Sequence, residues 1–201
     1  MYSEEKIMRA TIVLIANSEG ENFGRKLMLK AHQEGEMGFE MGRLPHHVSL
    51  KQTFIIPSLE KMEKFFDEFS KKVKPVKIEF EDIEIYPNNV LGGVPSGVMS
   101  LRVRETEELK SVQKRLFCEL ENEFGPCPAD HDDDYVFHMT VAIGGAPFEN
   151  YERALANLKS DEKTMDEILE KSYIFNKLGL FYYDDDNIVP GTYFCYKVCD
   201  I

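Results

Sequence analysis

The sequence predicts an α+β fold made of two similar halves, and three observations carry that expectation. Strand-like and helix-like segments alternate along the 201 residues. The order strand, helix, strand, helix, strand occurs once before a Pro- and Gly-rich stretch near the middle of the chain and again after it. A four-residue pattern of histidine, apolar, hydroxyl, apolar falls on the third element of each half, as His47-Val48-Ser49-Leu50 and, about ninety residues later, as His138-Met139-Thr140-Val141. An internal duplication is the simplest source of such agreement.

The elements follow in order. Ala10 to Asn17 holds a run rich in β-branched residues, Thr11-Ile12-Val13-Leu14-Ile15, and reads as a buried strand. Ser18 to Gly35 reads as a helix with loosely periodic Phe23, Leu27, Leu29 and Ala31. Gly38 to Pro45 is a loop leading into a strand over His47 to Ile56, which Pro57 ends. Ser58 caps the next helix, whose stripe is Met62, Phe65, Phe66, Phe69 and Val73, and Pro75 stops it. Val76 to Tyr86 alternates as a strand, with a bulge expected near Glu81-Asp82. Pro87 to Gly97 is the strongest punctuation in the chain, and the boundary between two lobes, approximately 8–90 and 96–201 of a single domain, is expected there. Val98 to Val103 is then a strand, and Glu107 to Phe124 a helix with Leu109, Val112, Leu116, Leu120 and Phe124 on one face. A loop over Gly125 to Asp134 leads to the second motif strand, Tyr135 to Ile143. Helices over Phe148 to Leu158 and Glu162 to Lys171, a strand over Tyr173 to Tyr183, a turn at Asp184 to Asn187 and a strand over Thr192 to Val198 complete the chain.

In a strand alternate side chains share a face, so His47 and Ser49 point one way while Val48 and Leu50 point the other, and the same holds for His138 and Thr140. Two imidazoles and two hydroxyls make an acid/base set suited to splitting a phosphate ester. If the halves are related by a pseudo-two-fold axis, the two histidines face each other over one cleft. Lys51 continues the parity of His47 and Ser49 and could add a cation for phosphate, whereas His46 faces the opposite way and reads as structural. Tyr182 and Tyr183 could offer a stacking surface for a base, with Phe181 the better candidate for the core.

Composition narrows the choices. With 36 acidic and 24 basic residues and a net charge of −12, sequence-independent binding to long nucleic acid is disfavoured, while a small nucleotide held by a few local donors is not. Cys118, Cys127, Cys195 and Cys199 form no CxxC pair and no secretory signal is seen, so reduced thiols and a cytoplasmic location are expected. Cys195 and Cys199, about 13 Å apart in a strand at about 3.3 Å per residue, are too distant to share an ion. No apolar run approaches the roughly 18 residues that span a bilayer, so no membrane association is expected. The run His131-Asp132-Asp133-Asp134 is the main rival feature, since clustered His and Asp can bind a divalent metal, although consecutive acids in a loop usually face solvent.

The paired tetrads and the repeated element order resemble the 2H phosphoesterase superfamily, which includes the 2'-5' RNA ligase-like proteins and cyclic nucleotide phosphodiesterases. The resemblance covers nearly the whole chain. It implies a bilobal α+β fold, two antiparallel sheets around a central cleft with helices outside, and a phosphoesterase that uses no metal or cofactor. The implied substrates carry a 2',3'-cyclic phosphate or a 2'-5' phosphodiester, in a small nucleotide or an RNA end. His47 and His138 would be catalytic, with Ser49, Thr140, Lys51 and Tyr182 on the substrate. By the same resemblance His138 would be the base and His47 the acid, an assignment that the near symmetry of the motifs leaves open. A catalytically silent nucleotide-binding module with the same cleft and a metal-dependent phosphohydrolase are the alternatives, and a monomer is favoured.

Overall fold

The structure, a computed structural model, describes residues 7–129, 131–183 and 192–201. Seven strands and five α-helices appear among them, in the order β1 (Arg9–Ala16), α1 (Ser18–Gly35), β2 (His47–Ile55), α2 (Leu59–Ser70), β3 (Val76–Asn88), β4 (Ser96–Val103), α3 (Glu107–Phe124), β5 (His138–Ile143), α4 (Phe148–Ser160), α5 (Glu162–Leu169), β6 (Ser172–Tyr183) and β7 (Tyr193–Asp200). The fold is α+β, with antiparallel strand pairing throughout and an open, unclosed sheet. The expected turn at Asp184 to Asn187 lies outside the described residues.

Side-chain chemistry fixes the ends of the helices. Asn17 caps α1 by accepting from the Gly20 amide at 2.9 Å, Ser58 caps α2 through the Lys61 amide, and Thr106 caps α3 through the Leu109 amide. The α2 stripe is buried at Met62, Phe66 and Phe69, each contributing about 1.5–3 kcal/mol by leaving water. A short 3-10 turn at Glu40–Arg43, absent from the sequence expectation, shapes the loop before β2.

Strand pairing places the two motifs symmetrically. β2 is the outer neighbour of β1, and β5 is the outer neighbour of β4. The third strand of each array comes from the other half of the chain: β6 pairs with β1, and β3 pairs with β4. The first residues of β3, Val76 to Glu79, also pair with Phe175 to Ser172 of β6, which joins the arrays into one path. β3 then changes register between Phe80 and Asp82, where the alternation of the sequence had indicated a bulge. The helices cross over as well, α1 packing against β5 and α3 against β2, where the Gln113 side-chain amide donates to the Leu50 carbonyl.

Pro87 to Gly97 does not separate two sheets. β3 continues through Pro87 to Asn88, pairing Pro87 with Gly97, and only the tip between the strands is a loop, with Gly92 and Gly93 in the left-handed region. The Pro and Gly content marks a hairpin tip, and the sheets do not follow the division 8–90 and 96–201. β1 is covered on both faces, as its unbroken apolar run requires. Ile12 and Leu14 join the main core beneath the helices, while Val13 and Ile15 join a smaller cluster with Leu44, Phe181, Tyr183 and Tyr193, capped by Leu91 of the hairpin tip.

Candidate active site

The two motif histidines are held alike. His47 Nδ1 lies 2.8 Å from the Pro45 carbonyl, and His138 Nδ1 lies 2.9 Å from the Val136 carbonyl, in each case the residue two positions upstream. A carbonyl oxygen only accepts, so each Nδ1 carries the proton, and in the neutral ring Nε2 is left as the base. His47 is half-buried and its ring meets Phe181 edge-on, centroids 4.6 Å apart. Burial is the main cause that pushes its pKa down to about 4, and the neighbouring His46 and His138 push in the same direction.

The strands themselves approach each other. Tyr135, just ahead of His138, donates its hydroxyl to the Ser49 carbonyl at 2.7 Å, which ties the entry of β5 to the motif of β2. Burial holds that phenol well above its usual range, so it stays a donor. β5 itself begins at His138 and not at Tyr135, because residues 135–137 are spent on this tie and on the Phe137 carbonyl, which accepts from the Val103 amide. Ser49 pairs across β1 with Val13, and Thr140 pairs across β4 with Ser100, whose hydroxyl lies 3.4 Å from the Thr140 hydroxyl.

Two expected substrate contacts are placed differently. Register shifts in β2, one of them between Ser49 and Lys51 where it faces Val13 and Ile12, break the alternation that would have aligned Lys51 with His47. Lys51 is 3% exposed, its ammonium 2.5 Å from Asp132 and 4.3 Å from the centre of the Phe117 ring. It is a buried cation whose partner, Asp132, stays partly exposed. Tyr182 pairs with Ala10 in an unbroken register, and Phe181, its neighbour, is the ring against His47, so Tyr182 points to the opposite face. Phe181 and Tyr183 share the face of His47 and are buried in the small cluster.

The rival metal feature is divided by these contacts. Asp132 serves Lys51 and accepts from the Ala129 amide, while His131 lies 3.2 Å from Asp134 on the exposed surface. Among the described residues no group of three or more His, Cys, Asp or Glu side chains is arranged to hold an ion. The described cysteines are free thiols, and burial pushes Cys195 up to about 11. No described helix is long and apolar enough to cross a membrane.

Sequence reasoning missed several neighbours of the site. Arg102 is the direct cross-strand partner of His138, its side chain 48% exposed and its guanidinium 3.2 Å from Glu84. Its place beyond the hairpin-loop signal could have been read from the alternation of Ser100 and Arg102 with buried Met99 and Leu101, but its opposition to His138 depends on pairing register. Tyr135 and Phe181 carried no local signal for their roles. A cavity of about 680 Å³ opens between the loop entering β2 and the chain leaving β5, lined by Phe39, Arg43, Leu91, Val94, Ile143 and Gly144 among others.

An α+β fold whose paired motif strands present two carbonyl-anchored histidines defines a class of two-histidine proteins, the 2H phosphoesterases. The chain belongs to that group through the 2'-5' RNA ligase superfamily, whose model matches residues 29–187. Solved structures share the fold. TT0787 of Thermus thermophilus is 12% identical, with a TM-score of 0.58 over 96% of this chain and 97% of that one. Usb1 of Kluyveromyces marxianus is 12% identical, with a TM-score of 0.53 over 88% and 93%. E. coli LigT complexed with 3'-AMP is 12% identical, with a TM-score of 0.52 over 96% and 98%. No curated protein matched the chain.

Proposed function

We propose that this protein is a metal-independent phosphoesterase that hydrolyses a 2',3'-cyclic phosphate or a 2'-5' phosphodiester of a small nucleotide or RNA end. The observation that carries the reading is the matched anchoring of His47 and His138, each with Nδ1 donating to the carbonyl two residues upstream. Membership of the superfamily supports the reaction class. That LigT was solved with 3'-AMP and Usb1 with uridine monophosphate supports a nucleotide as the ligand.

In this reading a water oxygen attacks phosphorus, one histidine takes its proton, the phosphorus–oxygen bond to the ribose breaks, and the other histidine protonates the departing oxygen. Ser49 and Thr140 hydroxyls donate to the phosphoryl oxygens as charge builds there. With a pKa of about 4, His47 carries a second proton in roughly one molecule in a thousand at pH 7. An unprotonated His47 can take the base role, which leaves the acid to His138, the reverse of the assignment suggested by resemblance.

The test is turnover of 2',3'-cyclic nucleotides and of 2'-5' and 3'-5' dinucleotides in the presence of a chelator, with products separated. Release of a phosphomonoester from the cyclic or 2'-5' substrates is expected. Tight nucleotide binding with no product after long incubation would point instead to a silent binding module, and activity abolished by the chelator would point to a metal enzyme.

A further inference from the structure

We infer that Glu21 is a positioning residue for His47 that acts through one peptide bond, an inference that rests on the catalytic reading of His47. The Pro45–His46 peptide has a hydrogen bond on each side. Its N–H donates to Glu21 Oε2 at 2.7 Å, and its C=O accepts from His47 Nδ1 at 2.8 Å. A carboxylate, a peptide and the imidazole thus form a continuous chain. Hydrogen bonds in series polarise one another, so an anion on the N–H makes the carbonyl a stronger acceptor and holds the proton on Nδ1, with Nε2 kept as the base. A carboxylate that fixes the tautomer of a catalytic histidine usually touches the ring; here the backbone stands between them.

The surroundings show how the fold sets this carboxylate in place. Glu21 sits in the first turn of α1, where a negative charge is favoured by the helix N-terminus. α1 can approach β2 because residue 24 is glycine: a Cβ there would lie 2.5 Å from His46 Cγ and 2.6 Å from His46 Nε2. The His46 ring, 1% exposed, fills that space, and its Nδ1 is 3.4 Å from Glu21 Oε2. The His46 carbonyl in turn accepts from the Ala16 amide at 3.0 Å, which pins the following residue. Arg25 Nε lies 2.6 Å from the other carboxylate oxygen. Among the titratable groups acting on His47 are His46 just ahead of its strand, Glu21 on α1 and His138 on β5, and of these Glu21 alone favours the protonated ring. Glu21 itself is held down to about 2, so it is ionised throughout the working range.

Glu21→Gln tests the inference in the full-length protein, because the amide keeps an acceptor oxygen for the His46 N–H and removes the charge. The expected result is an unchanged fold by NMR, His47 titrating at lower pH than in the wild type, and kcat reduced about 10-fold with little change in KM, the scale on which partners of functional histidines act. Glu21→Ala, which also removes the acceptor, is expected to lower kcat further. Superimposable His47 titration curves and equal kcat for wild type and Glu21→Gln would overturn the inference. The titration needs no turnover, so it reports on the link even if the proposed hydrolysis is absent.

Discussion

At the scale of single residues, the candidate site depends on what surrounds His47. Burial and two neighbouring imidazoles push its pKa down to about 4, so a folded protein refuses a proton that the unfolded chain accepts near pH 6.5. The unfolded state binds more protons between those values, and stability falls as pH drops from about 6.5 through 4. Glu21 adds to the acid sensitivity lower down: its contribution is complete above pH 4.5 and is lost as pH falls through about 2. Urea unfolding at a series of pH values is expected to show this decline, and a His47→Gln variant should flatten the part above pH 4. If His47 is the base, kcat/KM should also fall on the acid side near pH 4, since that ratio reports the free protein. Tyr182→Ala is expected to leave KM unchanged, because its side chain points away from His47. Phe181→Ala should cost about 3–5 kcal/mol of stability, as expected for emptying a fully buried ring site.

Elements explain which parts of this were legible in the sequence. The spans of α1 and α3 were legible because α3 carries a one-faced stripe of Leu109, Val112, Leu116, Leu120 and Phe124 and α1 a looser one, whereas the Asn17 and Thr106 caps emerged only from the structure. The partition of His46 from His47 was readable because it needs only alternation. Lys51 and Tyr182 were not, for different reasons. A register shift between Ser49 and Lys51 arises from pairing with β1, which leaves no local mark, and the two tyrosines after Phe181 could be told apart only once Phe181 was seen against His47. The Lys51–Asp132 pair also explains the acidic run ahead of β5, one member of which is a counter-ion pinning the loop over Phe117. Lys51→Ala is expected to destabilise by about 1.5–3 kcal/mol, the worth of a hydrogen bond to a charged group, because the Asp132 left behind is partly exposed, while Lys51→Met with Asp132→Leu should recover most of it. Calorimetry of the two variants checks this, and equal melting temperatures for Lys51→Ala and wild type would return Lys51 to the role of a solvent-facing cation.

For the whole molecule, the exchange of third strands has the largest consequence. The repeated element order was visible in the sequence, and we propose that it records an internal duplication in which β3 and β6 crossed to each other's array. Which array each joined is a non-local property, set by packing of Val76, Ile78, Phe80, Tyr173 and Phe175 in the shared core. Each half alone would leave its motif array without its third strand. Fragments 1–92 and 93–201 are therefore expected to be largely unfolded separately and to gain native-like structure on mixing, as followed by circular dichroism; a folded half on its own would count against the exchange. The joining of the arrays also bears on the proposed chemistry, which requires one histidine from each half to reach the same phosphate. If both act on one phosphate, removing either should disable the site nearly as fully as removing both, since residues that work as a unit lose their effect together. The most direct measurement is hydrolysis of a 2',3'-cyclic nucleotide, with chelator present, by wild type, His47→Ala, His138→Ala and the double variant. Turnover by the wild type and a loss of about 100-fold or more that is similar in all three variants is the expected result; undiminished turnover in the double variant would contradict it.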